Sequence, residues 1–146
     1  MLQYFFGIVL EKFIFSLRTT TTVTSGTYGS LDYPDIAGTE KDLWINWDSD
    51  GGVERIPVPK YYWKVLYDQS SHSAVAFLGL NDIYSSDVTH TRCPSVCDKL
   101  TVWFHGDYEE EDLGHVTCCD LESFSKVVPF APHHKNQDGE WPSLLI

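Results

Sequence analysis

The sequence is short of basic residues. Ten Lys and Arg stand against 21 Asp and Glu in 146 residues, a formal net charge of −11. A field of that sign repels a polyanion, so nucleic-acid binding is not expected unless a metal ion or a local basic patch offsets it. Arg55, Lys60 and Lys64 are too few to form such a patch along a phosphate backbone. Repeats and low-complexity tracts are absent. Cys-x2-Cys is absent too, and vicinal cysteines rarely both reach one tetrahedral centre, which makes a zinc site a poor reading. Asp48-x-Asp50-x-Gly52 suggests a calcium loop but reads better as a turn. Its fifth position is Gly52 and its twelfth is Pro59, where an EF-hand needs an oxygen ligand and a Glu.

A long apolar run is also missing. The start, MLQYFFGIVLEKFIFSLR, is interrupted by Glu11-Lys12, too short and too charged for a membrane span. It has no basic front and no small-residue cleavage site. Residues 2–18 therefore read as a buried amphipathic helix, with a signal peptide as the alternative. No association with a membrane is expected.

What remains is one domain's length, 42% apolar residues and 14% aromatics, enough for one sizeable core. The four cysteines form two tight groups, Cys93/Cys97 and Cys118/Cys119. An even count suits two disulfides, with metal ligands or free thiols as alternatives. Disulfides imply a secreted or lumenal compartment.

Along the chain, Thr19–Thr24 is β-branched and reads as a strand. SGTYG (25–29) reads as a turn or bend. EKDLWINWD (40–48) alternates, with Leu43, Ile45 and Trp47 on one face. IPVPKYYWKVLYD (56–68) reads as a strand with its prolines at the start, where a missing N–H is tolerated. SAVAFLGLND (73–82) is nearly all apolar, as in a strand buried on both faces. The polar DQSSHS between them makes a hairpin. CPSVCDKLTVWF (93–104) starts as a loop and continues as a helix or short strand. DLESFSKVV (120–128) reads as a short helix capped by Asp120, with Leu121, Phe124 and Val128 inward. The fold class expected is α+β, a mostly antiparallel sheet with packed helices. The domain limits are a helix at 1–22, a sheet region at 23–132 and a disordered tail at 133–146.

SGTYG, VPKYYWKV and AVAFLGLND, in this order and spacing, resemble the DNA/RNA non-specific endonuclease family of the ββα-metal fold. Cys93 followed by Asp98, and Gly114 to Cys119 followed by Phe124, are similar to insect secreted members of that family. The resemblance covers roughly residues 23–132 and implies the C-terminal part of the nuclease domain. It pairs Cys93 with Cys119, which leaves Cys97 and Cys118 as a second bond. It implies Mg2+ as cofactor of the complete domain and nucleic acid as substrate.

The chemistry of that family needs a His base in an Asp-Arg-Gly-His motif, well upstream of the TGTxG turn. Here 24 residues precede SGTYG, and Arg-Gly-His occurs nowhere. Asp112-Leu113-Gly114-His115 imitates the motif but lies after the core strands and lacks the arginine. The resemblance places Glu11 as a metal-site residue on the N-terminal helix, against the simpler reading of a solvated Glu beside Lys12. The family's metal-binding Asn then falls near Gln3, a poor substitute. The expectation is a scaffold without its base, holding Mg2+ weakly and hydrolysing nothing alone. A non-catalytic, disulfide-bonded secreted binding domain is the alternative, and an unrelated β-rich structural protein is a third reading. Asn81-Asp82 reads as a turn, GDYEEED (106–112) as a solvated loop, and His133-His134 as inert. An exposed sheet edge is expected to favour self-association.

Overall fold

The computed structural model describes residues 20–46, 55–82, 93–100 and 115–146. Its main sheet has five strands. They are β1 (Thr21–Ser30), β6 (Pro59–Asp68), β7 (Ser73–Leu80), β8 (Val116–Cys119) and β9 (Ser143–Leu144), and the order is β1-β6-β7-β8. All neighbours on that path are antiparallel. Strand β9 pairs in parallel with the start of β7, at Ser73 and Ala74. Two short ribbons extend the β1 and β6 ends. One joins β2 (Asp32–Pro34) to β3 (Glu40–Asp42), and the other joins β4 (Trp44–Asn46) to β5 (Arg55–Pro57).

The paired strands at the centre follow from their side chains. Strand β6 alternates, and β7 is buried at all eight positions. The reason is that both faces of the sheet are covered. On the first face, Trp63, Val65, Ala76 and Leu78 meet Leu121, Phe124 and Val127 of α1 (Leu121–Val127). Trp63 meets the Phe124 ring edge-on at 5.9 Å between centroids. On the second face, Leu66, Val75 and Phe77 meet Val96, Leu100 and Leu145. Fully burying a side chain such as Phe77 contributes about 2 kcal/mol.

Helix α1 begins where the sequence places it. The Asp120 carboxylate accepts the backbone N–H of Ser123 at 2.8 Å, which satisfies one of the free donors of the first turn.

The α+β expectation is corrected. Among the described residues there is one α-helix and one 3-10 turn, Cys97–Lys99, so the architecture is more all-β than a sheet with packed helices. Irregular chain does the covering expected of helices. Residues 93–100 are tied to β8 and stay short of a helix, while Leu144 and Leu145 fill the second face. The helix expected at 2–18 lies outside the described residues.

Three local expectations also change. SGTYG is not a turn but the middle of β1, paired with β6 from Thr21↔Asp68 to Ser30↔Pro59. Its Gly26 is there for space: a Cβ would sit 2.5 Å from the Trp63 ring. The 40–48 strand breaks at Leu43. The Leu43 N–H bonds Leu31 O at 2.7 Å, and its carbonyl accepts from Val58 N at 2.9 Å, so β3 and β4 enter different ladders. Residues 133–146, expected as a disordered tail, return to the sheet. Leu145 N bonds Ala74 O at 3.0 Å, and its side chain is buried.

Candidate functional site

Strand geometry decides how the cysteines are used. Side chains alternate across a strand, so adjacent residues in β8 face opposite ways. Cys119 stands opposite Ala76 and Cys118 opposite Phe77. Each therefore belongs to a different core. Cys119 bonds Cys93 with Cα atoms 6.0 Å apart, and Cys118 bonds Cys97 at 4.9 Å. The segment between the partners passes around the outer border of β8. There Val96 N donates to Cys118 O at 2.8 Å, and Cys118 N donates to Cys97 Sγ at 3.1 Å. One short segment is thus fastened on both faces of the strand it borders.

A second polar assembly lies at the β6–β7 hairpin. Asp68 is buried, and its carboxylate accepts from Ser70 N, Ser70 Oγ and Ser71 Oγ at 2.9, 2.7 and 2.8 Å. These serine hydrogen bonds hold the carboxyl below its usual pKa, against the opposing effect of burial. Next to it the Tyr67 hydroxyl meets His72 Nδ1 at 3.1 Å. The His134 ring lies on the Tyr67 ring, 4.2 Å between centroids and 12° from parallel. Both histidines adopt left-handed backbone, φ 46° and 50°, which is uncommon outside glycine. Burial, and then repulsion from His72, lower the His134 pKa. The assembly therefore favours neutral His134. His134, expected to be inert, is a docking residue for the returning chain. Only the polarity of DQSSHS hinted at this in the sequence.

At the other end of β6, Lys60 pairs with Asp32 at 3.3 Å, and the Tyr33 hydroxyl donates to Asp82. Asn81 Nδ2 bonds Pro59 O at 2.9 Å. Asn81 and Asp82 thus tie the end of β7 to β2 and to the start of β6, a stronger role than a free turn.

Glu11 and Gln3 lie outside the described residues, as do residues 112–114, 106–111 and the 48–52 loop. His115 is described, and its carbonyl accepts from Leu80 N at 2.9 Å beside β8. Among the described residues, no group of three or more His, Cys, Asp or Glu is placed to hold a metal ion. Among the described residues no helix is long and apolar enough to cross a membrane.

Two curated proteins are similar to this chain. A salivary endonuclease of Lutzomyia longipalpis is 26% identical over 128 residues, 82% of this chain and 29% of the relative. Salivary protein Tsal2A of Glossina morsitans morsitans is 28% identical over 76 residues, 51% of this chain and 19% of the relative. The relationship is nuclease-like. The chain spans less than a third of the length of either relative. No family model matches the sequence, and no solved structure does. The two disulfides are consistent with an extracellular location.

Proposed function

We propose that this chain is a scaffold region related to a secreted, metal-dependent, sequence-tolerant endonuclease, and that it does not hydrolyse phosphodiesters alone. The observation that carries the reading is the similarity to a salivary endonuclease across 82% of the chain, in a sequence that holds no Arg-Gly-His. General-base removal of a proton from water needs a positioned acceptor within hydrogen-bond reach of the attacking oxygen. Three of the four described histidines, His72, His133 and His134, are engaged elsewhere. His72 and His134 are engaged with Tyr67, and His133 Nε2 lies 3.2 Å from the Pro129 carbonyl. In this reading β6 and β7 support the catalytic region of a longer relative, and Glu11 would contribute to the water shell of Mg2+ only with further ligands.

The test is digestion of plasmid DNA and double-stranded RNA by the oxidised protein, with Mg2+ and with chelator. No cleavage in either condition is expected. Chelator-sensitive cleavage that survives purification to homogeneity and is lost on Glu11→Gln overturns the reading.

The net charge of −11 favours a second reading, a secreted, disulfide-bonded, non-catalytic binding domain for a basic partner. Retention of the protein on an immobilised basic polypeptide at physiological salt, with no retention on nucleic acid, would favour it.

A further inference from the structure

Residues 133–146 meet the β6–β7 hairpin at both of their ends, and His72 takes part in both contacts. At the first, the His134 ring lies on Tyr67, whose hydroxyl meets His72 Nδ1. At the second, Ser143 N donates to the His72 carbonyl at 3.1 Å, and Leu145 N to the Ala74 carbonyl at 3.0 Å. Trp141 packs on the edge of the first core, and Leu145 enters the second. Between these contacts the segment holds its own shape. Asn136 Oδ1 accepts Asp138 N and Glu140 N at 3.0 and 2.9 Å, and Asn136 Nδ2 donates to Glu140 Oε2 at 2.9 Å. Lys135 Nζ lies 4.3 Å from the centre of the Trp141 ring.

The first contact does not tolerate charge. The Nε2 atoms of His72 and His134 are both buried and without a hydrogen-bond partner. A neutral imidazole leaves one nitrogen bare, but an imidazolium carries N–H on both. A buried charged donor without an acceptor costs its full desolvation. Nothing on the surrounding elements compensates. The Asp68 carboxylate of β6 is taken up by Ser70 and Ser71. Glu140 accepts from Asn136, and Asp138 is exposed. Strand β1, paired alongside Tyr67 and Asp68, has no charged residue from Thr21 to Ser30. Beside His134 in the chain, His133 is turned to the Pro129 carbonyl and Lys135 to Trp141. Neither offers a negative charge.

We propose that residues 133–146 form a strap that acid releases from the β6–β7 hairpin as a unit, while the four antiparallel strands stay paired. Those strands keep their ties, because both disulfides and α1 lie outside the strap. Release withdraws Leu145 from Val75 and Phe77 and bares apolar surface on the second face at low pH. Closure holds the His134 pKa below 6.5, and release restores it. The closed form therefore loses ground as the pH falls below 6.5, and the loss levels off once His134 is charged in both forms. This inference is independent of the nuclease reading.

Amide hydrogen exchange on the oxidised full chain, read peptide by peptide at about pH 7.5 and about pH 5, tests it on either side of the ordinary histidine range. Protection is corrected for the intrinsic exchange rate at each pH. The peptide holding Ser143 and Leu145 should lose protection about fivefold or more on acidification, while β6 and the rest of β7 keep theirs. His134→Phe keeps a ring on Tyr67 with no proton to bind, and its strap should stay closed at both pH values. Leu145→Ala removes the apolar anchor and should open the strap at both, which gives the signature of the released state. Equal protection of the wild-type strap at both pH values overturns the inference. So does a strap that loses protection only together with β6 and β7, or a His134→Phe strap that opens on acidification as the wild type's does.

Discussion

Cys118 and Cys119 are neighbours in the chain, yet their sulfurs lie on opposite faces of one sheet, each bonded to a different end of the 93–97 segment. The two bonds are therefore not redundant. Their loops are nested, Cys97–Cys118 inside Cys93–Cys119, with sequence separations of 21 and 26. With the other bond intact, replacing either pair by serines lowers stability by about 2 kcal/mol in the chain-entropy account, because the remaining bond already closes most of the loop. Urea unfolding of both double variants checks this, and the quadruple variant should lose more than either.

Gly26 is required by the Trp63 ring rather than by a turn. Gly26→Ala should cost about 1–3 kcal/mol, as overpacking does. The indole atoms it meets are absent from phenylalanine, so the cost should shrink in a Trp63→Phe background. A double-mutant cycle by thermal unfolding reads this coupling directly.

His134 sets a pH dependence of the returning C-terminal chain. Burial and His72 lower its folded pKa below the ordinary value of 6.5. A histidine shifted in that direction costs nothing while neutral in both states. The cost appears as the pH falls below 6.5 and is complete below the folded pKa. Thermal stability should decline on acidification through this window. His134→Gln should flatten that part of the profile, although it loses the stacking on Tyr67 at every pH. A variant profile as steep as the wild type's would show that other groups cause the decline.

Asp120 caps α1 through Ser123 N. Asp120→Ala should cost about 1 kcal/mol, and Asp120→Asn much less. Denaturant titration separates the two.

The centre of this sheet is legible in the sequence. Continuous apolar character over 73–80 and alternation over 59–68 reflect burial that the strands cannot avoid, and α1 announces itself through its cap and inward residues. The open parts are harder to read for a physical reason. SGTYG has the composition of a turn, yet Gly26 answers to a ring on the neighbouring strand, which local sequence does not encode. The polar, Pro- and Gly-containing stretch 133–146 hides two leucines that the second face needs. His72 and His134 are 62 residues apart in number, and only the return of the chain brings them to one tyrosine. Vicinal cysteines are a clearer signal: in a strand they must face opposite ways, which disfavours a shared metal centre.

The position of β9 has a consequence for how the protein is made. The β6–β7 hairpin is local in sequence and can form early, because its closure joins strands separated by a few residues. Its second face stays incomplete until Leu145 has left the ribosome. A nascent chain halted before that residue presents Phe77 and Val75 with part of their cover missing, a ready target for holdase chaperones during synthesis.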